Sequence, residues 1–153
     1  MDTLEKDSLG HLAKLVLWAA IVLFTGIGAS GVLFGPWEFT RMFVVPFDEL
    51  GPNAVTLENQ LRFLKAMELA AGLWLYSVRQ RAFTDAAIRR AVVVTFTVTP
   101  MARLVSCAID GAPNGWFVVL MGLEFAAAAI VSAQAWRFSR TQHETAPTAV
   151  PAE

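Results

Sequence analysis

The chain has 153 residues, of which 56% are hydrophobic and 16% are charged, and its mean hydropathy is +0.51. This composition is more apolar than that of ordinary soluble domains and indicates one helical domain. The net charge of −1 offers no basic surface of the kind that binding to nucleic acid needs, so we expect no nucleic-acid partner.

The first apolar segment spans residues 15–35 and follows a short charged lead, residues 1–14, that we expect in the cytoplasm. About 20 consecutive apolar residues are enough to cross a bilayer as a helix. The segment is longer than the core of a signal peptide, and further apolar segments follow it, so we expect an uncleaved transmembrane helix. The Gly35-Pro36 pair is a helix breaker, as expected where this helix leaves the bilayer.

Three further apolar segments are predicted to cross the membrane, near residues 59–78, 91–109 and 115–136. Together with the first segment they predict an all-α, four-helix transmembrane bundle over residues 15–138. Residues 139–153 are rich in Thr, Pro, Ala and Glu without periodicity, which is typical of a disordered tail.

Pro100 lies inside the third predicted helix, where it removes a backbone donor and leaves the Phe96 carbonyl without its usual partner. Three neighbouring hydroxyl groups are candidates to donate to the freed carbonyl, those of Thr95, Thr97 and Thr99. We interpret Pro100 as a packing kink in preference to a ligand site.

Lysine and arginine near the ends of the spans predict the orientation, because positive charge is retained on the cytoplasmic side. These charges precede the first span, join the second to the third, and follow the fourth: Lys6, Lys14, Arg79, Arg81, Arg89, Arg90, Arg137 and Arg140. On the opposite side only Arg41 lies in a loop. We therefore expect both termini in the cytoplasm and the protein in the inner membrane, surrounded by lipid.

Charged side chains inside the apolar segments are the unusual feature of this sequence, because ionised groups in lipid are unfavourable unless they pair or face water. In the second span the charged residues recur every three or four positions, so they lie on one stripe of that helix. The polar residues of the third span follow the same spacing and lie on one stripe of their own helix. By helical rise they reach a similar depth from the outer side. We predict a shared polar pocket, open outward, formed by Glu58, Asn59, Arg62, Lys65, Glu68, Arg103, Ser106, Asp110 and Glu124.

Several functions fit such a pocket. The charges can be a salt-bridge network that sets helix register and binds nothing. Arg62 and Arg103 can instead present planar guanidinium groups to a small polar or anionic ligand, or to a lipid headgroup. A membrane enzyme or proton-coupled carrier would use Glu68 and Glu124 as proton carriers. We favour a protein that is not an enzyme, and an accessory subunit with membrane protein partners is a further alternative.

No metal site and no cofactor are predicted. Cys107 is the only cysteine and lies in an apolar run, while His11 and His143 lie near the ends without a second ligand at helical spacing. Residues 26–31 match the glycine spacing of a dinucleotide-binding loop, but they lie within an apolar helix and no strand precedes them. These glycines are better interpreted as a smooth face for close helix packing.

Three blocks of sequence resemble the small bacterial four-span membrane proteins grouped as domain of unknown function 4345. They are Asn59-Gln60-Leu61-Arg62, then Arg103-Leu104-Val105-Ser106 with Asp110-Gly111-Ala112-Pro113, and Leu123-Glu124. The resemblance covers about residues 12–138 and implies a four-helix inner-membrane protein without an agreed activity. A more distant similarity is to the DoxX-like four-span proteins, some of which look like accessory parts of membrane redox systems.

Overall fold

The computed structural model describes residues 2–35, 54–113 and 115–144. They form four helices, α1 (Asp2–Phe34), α2 (Ala54–Val78), α3 (Ala86–Asp110) and α4 (Gly115–Glu144). The prediction of an all-α chain with four helices is thereby confirmed. Two features used above, Arg41 and residues 145–153 of the predicted tail, lie outside the described residues.

The helices extend further than the predicted spans. α1 begins at Asp2, within the predicted charged lead, and α4 continues to Glu144 instead of ending near residue 136. Residues 139–144 of the predicted tail are therefore helical. The reason is that residues 137–144 contain neither glycine nor proline and include Arg, Gln and Glu, which favour helix even on a polar surface.

Three helices are long and apolar enough to cross a membrane, over Ser8–Phe34, Ala86–Asp110 and Gly115–Thr141. By length and composition the chain is therefore a membrane protein. α2 has 25 residues but is not among the three, because four charged side chains lie within its first fifteen residues. Of the four predicted spans, the first, third and fourth are thus confirmed as candidates, and the second stays a prediction.

The surface of these helices is rich in large apolar side chains. Their exposed fractions exceed one half at Leu23, Leu33, Val98, Ile109 and Leu123, among others. In water such a surface would drive association or aggregation. In a bilayer the lipid tails cover it without loss, so the distribution of apolar residues agrees with a membrane environment.

Two compact units make up the chain, and each is described by itself: residues 17–79, and residues 1–16 together with residues 80–153. In the first unit the backbones of α1 and α2 approach closely at glycines. A Cβ atom on Gly28 would lie 2.8 Å from Leu69 Cα, and one on Gly72 would lie 2.7 Å from Thr25 N. Such contact needs glycine on both helices, and the predicted glycine packing face is present at Gly28.

In the second unit α3 and α4 form an antiparallel pair. Asp85 caps α3 by accepting hydrogen bonds from the backbone N–H groups of Ala87 and Ile88. The side chains of Val92 on α3 and Val131 on α4 are fully buried. Before α3 begins, the ring of Phe83 stacks on that of Phe138, with centroids 6.5 Å apart.

Pro100 is buried, and α3 continues through it without interruption. The three threonines before it do not bond to the Phe96 carbonyl, so that expectation is wrong. Each hydroxyl instead donates to the carbonyl oxygen four residues earlier, with Thr95 bonding Ala91, Thr97 bonding Val93 and Thr99 bonding Thr95. This local i−4 geometry is the one that a threonine reaches most easily in a helix.

Candidate functional site

Arg103 and Glu124 form an ion pair between α3 and α4. Arg103 Nε donates to Glu124 Oε2 at 2.8 Å. A short connection joins the two helices, so residues at similar distances from it lie opposite each other. Arg103 is about 10 Å along α3 from Asp110, and Glu124 is about 14 Å along α4 from Gly115. The pair therefore lies well inside two helices that are apolar enough to cross a membrane.

The Arg103 guanidinium group is only partly used by this pair. Within the described residues its hydrogen bonding is through Nε, and its remaining contact is with the Phe117 ring, whose centroid is 5.7 Å from Cζ. The side chain is 38% exposed, and that of Glu124 is 27% exposed. Both Nη groups of Arg103 thus have donors available for a further acceptor.

Arg62 joins α2 to the end of α1. Its Nε and Nη2 donate to Glu58 Oε1 at 3.2 and 2.8 Å, one turn earlier on α2. Its Nη1 donates to the Val32 carbonyl oxygen at 3.0 Å. The last four carbonyl groups of a helix have no partner within that helix, and Val32 is one of them because α1 ends at Phe34. Arg62 therefore caps α1 with a charged donor, which the helix dipole also favours.

Lys65 pairs with Glu68 on its own helix, with Nζ 2.9 Å from Oε2. The Lys65 side chain is 12% exposed and that of Glu68 is 41% exposed, so the lysine is the more buried partner. The sequence left open whether Lys65 pairs with Glu68 or with Glu124. In the structure Lys65 pairs with Glu68, while Glu124 accepts a hydrogen bond from Arg103.

The remaining candidates are more exposed. Ser106 Oγ donates to Asp110 Oδ2 at 2.9 Å across one turn at the end of α3, and both residues are exposed. Asn59 is exposed near the start of α2. The structure thus brings eight of the nine predicted residues together as four separate pairs, three within one helix and one between α3 and α4, and the single pocket shared by all nine stays a prediction.

Sequence reasoning missed two features. One is the Val32 carbonyl oxygen, which is a backbone group and so has no residue-type signature. The other is a groove of about 420 Å³ between α3 and α4, near Arg89 and Arg90. The sequence signal for this groove is the pair of adjacent arginines at the start of an apolar helix.

Comparisons with known proteins agree with the resemblance seen in the sequence. No curated protein and no solved structure matches the chain. A family model, described as Domain of unknown function (DUF4345), matches residues 12–133, a range that includes all nine candidate residues. The DoxX-like similarity stays a prediction. Since the match covers most of the chain, the protein belongs to the DUF4345 family.

Proposed function

We propose that this protein is a four-span inner-membrane protein whose ion pairs hold the helices in register and present Arg103 to a small anionic or polar ligand. The observation that carries the proposal is the Arg103 side chain, which is paired through Nε, partly exposed, and about 10 Å inside an apolar helix. The protein performs no chemistry of its own in this proposal.

The structural part of the proposal follows from the low dielectric of the membrane interior. Removing one member of the pair between Arg103 and Glu124 leaves the other as an unpaired charge, which is far less favourable there than in water. The pair therefore selects the register in which α3 and α4 place these two residues opposite each other. Arg62 has the same role between α2 and α1, through its bonds to Glu58 and to the Val32 carbonyl oxygen.

The binding part follows from the chemistry of the guanidinium group. Its two Nη groups form a planar fork that matches the two oxygens of a carboxylate or phosphate. The neighbouring side chains Leu104 and Val105 are exposed and apolar. Glu124 balances the charge of Arg103 through Nε, but donors of the two Nη groups stay unfavourable in lipid without an acceptor. A small anion, or the headgroup of a lipid, supplies that acceptor.

Four spans with both termini in the cytoplasm are supported by the length of α2 and by the positions of the basic residues. The 25 residues of α2 extend about 38 Å, enough to cross a bilayer. After α2, Arg79 lies over the rings of Tyr76 and Trp18, at 3.9 and 5.7 Å from their centroids. Arginine and aromatic rings together are typical of the level of the lipid headgroups.

The topology can be tested with single cysteines in a Cys107→Ser background and a maleimide that does not cross membranes. We expect Ala112→Cys to be labelled in intact spheroplasts and Gln80→Cys to be labelled only after permeabilisation. If α2 did not cross the membrane while the N-terminus stayed in the cytoplasm, the two positions would exchange their behaviour. The labelling pattern therefore decides between four spans and three.

The ligand can be tested by native mass spectrometry of protein released gently from its own membrane. Arg103→Lys keeps the charge that pairs with Glu124 but removes the fork. We expect a bound small anion on the parent protein, its loss in Arg103→Lys, and its retention in Arg137→Lys, the matched control. Added acetate and inorganic phosphate serve as probes. Identical spectra for all three proteins, with no probe bound, would contradict the binding part.

A further inference from the structure

The groove between α3 and α4 lies at the opposite end of these helices from the pair of Arg103 and Glu124. It has a volume of about 420 Å³ and is open at the surface. Arg89, Arg90 and Ser139 line one end of the groove, and the rest of its lining is mainly apolar, formed by Val93, Val94, Ala135 and Trp136 together with Ser132. From Arg90 to Arg103 the distance along α3 is about 20 Å, so this site is separate from the proposed ligand site.

The charge of the groove is positive. Arg89 is buried and donates from Nη1 to the Phe83 carbonyl oxygen at 2.9 Å, which holds it in place. Arg90 is exposed, and within the described residues no hydrogen bond or ion pair occupies its guanidinium group. Arg140 adds a third cation, with its Cζ 3.8 Å from the centroid of the Trp136 ring. The groove-lining residues include no acidic side chain, so its complement is an anion.

The position of the groove along the spans indicates that its ligand has an anionic part at the membrane surface and an apolar part toward the hydrocarbon layer. The candidate spans begin at Ala86 on α3 and end at Thr141 on α4, so Arg90 and Ser139 lie near the membrane surface. From Ser139 to Ser132 the groove extends about 10 Å along α4 toward the hydrocarbon layer. Its lining along this path is mainly apolar, with Val93 and Val94 on α3. Trp136 lies where indole rings collect, at the headgroup level.

We propose that this groove binds one anionic phospholipid. The phosphate group lies at the level of Arg90 and accepts hydrogen bonds from its guanidinium group, while an acyl chain lies along Val93 and Val94. Basic residues between transmembrane helices at the membrane surface are suited to anionic headgroups in this way. A zwitterionic phospholipid has the same apolar part without the net charge, and free phosphate has the charge without the apolar part.

The test is native mass spectrometry of the full chain in detergent, titrated separately with phosphatidylglycerol, with phosphatidylcholine of the same acyl chains, and with inorganic phosphate. We expect phosphatidylglycerol to bind the parent protein in preference to both others. Arg90→Gln should weaken its binding about tenfold, the effect of one lost charge-assisted hydrogen bond. Arg81→Gln is the matched control, because it removes the same charge from an exposed position outside the groove.

A second variant keeps every charge and fills the groove. Val94 is 58% exposed, so Val94→Trp places a large ring in the groove without disturbing the buried core. We expect it also to weaken phosphatidylglycerol binding. Equal binding of the two phospholipids would overturn the proposal, as would equal effects of Arg90→Gln and Arg81→Gln. Full competition by inorganic phosphate, with no effect of Val94→Trp, would show a site for a small anion and would also overturn it.

Discussion

Arg62 donates a hydrogen bond to the carbonyl oxygen of Val32 at 3.0 Å and so closes the end of α1 with a side chain from α2. Gly35 makes this contact sterically feasible. A Cβ atom at that position would lie 2.9 Å from Nη2 of Arg62, and the φ of Gly35 is +39°. Gly35 therefore does more than end a helix, because it also leaves room for the cation that caps it.

Gly35→Ala is predicted to destabilise the protein by about 2–3 kcal/mol, combining the strain of a positive φ with displacement of the Arg62 side chain. The control is the same change in an Arg62→Ala background, where the added methyl group meets no guanidinium group and only the backbone strain remains. Equilibrium unfolding in mixed micelles measures both. Equal losses in the two backgrounds would show that strain alone is responsible and that displacement of Arg62 adds nothing.

Gly28→Ala is predicted to destabilise the packing of α1 on α2 by about 1–3 kcal/mol, as expected for overpacking a close contact. The added methyl group would lie 2.8 Å from the Leu69 Cα atom, and backbone cannot move aside as a flexible side chain can. Gly26→Ala is the control on the same helix, since a Cβ there meets nothing within 4 Å. We expect Gly26→Ala to be neutral or stabilising by up to about 1 kcal/mol. A similar melting temperature for both variants would be evidence against close backbone contact at Gly28.

Arg103→Ala is predicted to lower the free energy of unfolding by about 2 kcal/mol, between the values for exposed and buried ion pairs, because both side chains are partly exposed. The double variant Arg103→Met with Glu124→Leu should recover much of the loss, since no unpaired charge remains. A double-mutant cycle in detergent measures the coupling between the two residues. Additive effects of the single changes would mean that the pair does not stabilise the contact of α3 with α4.

Glu124→Gln separates the proposed function from a proton-coupled carrier. The amide oxygen can still accept a hydrogen bond from Arg103, but the cation loses its counter-charge, so we expect a loss of stability of about 2 kcal/mol, similar to that of Arg103→Ala, with the fold retained. We expect no change in proton flux when the protein is reconstituted in vesicles that contain a pH-sensitive dye. Should the parent protein carry protons, and Glu124→Gln abolish that flux with folding intact, the carrier function would replace the proposed one.

Much of the candidate site could be predicted from the sequence. Ionisable residues inside apolar segments need partners, and the helical spacing of Glu58 with Arg62 places those two on one face. The match in depth between Arg103 and Glu124 follows from helical rise and a short connection. The partner of Lys65 could not be predicted, because the sequence offers both Glu68 on the same helix and Glu124 on α4. The choice between them depends on how the helices are rotated.

The sequence by itself determined the all-α class, the four helices and the three strongly apolar spans, because length, hydropathy and breakers act over short stretches of chain. Only the tertiary structure decided that Arg62 caps α1 at Val32, that Gly28 contacts Leu69, and that a basic surface groove lies between α3 and α4 near Arg90. These contacts join positions far apart in the chain, and they depend on the rotation of each helix about its axis, which no local pattern specifies.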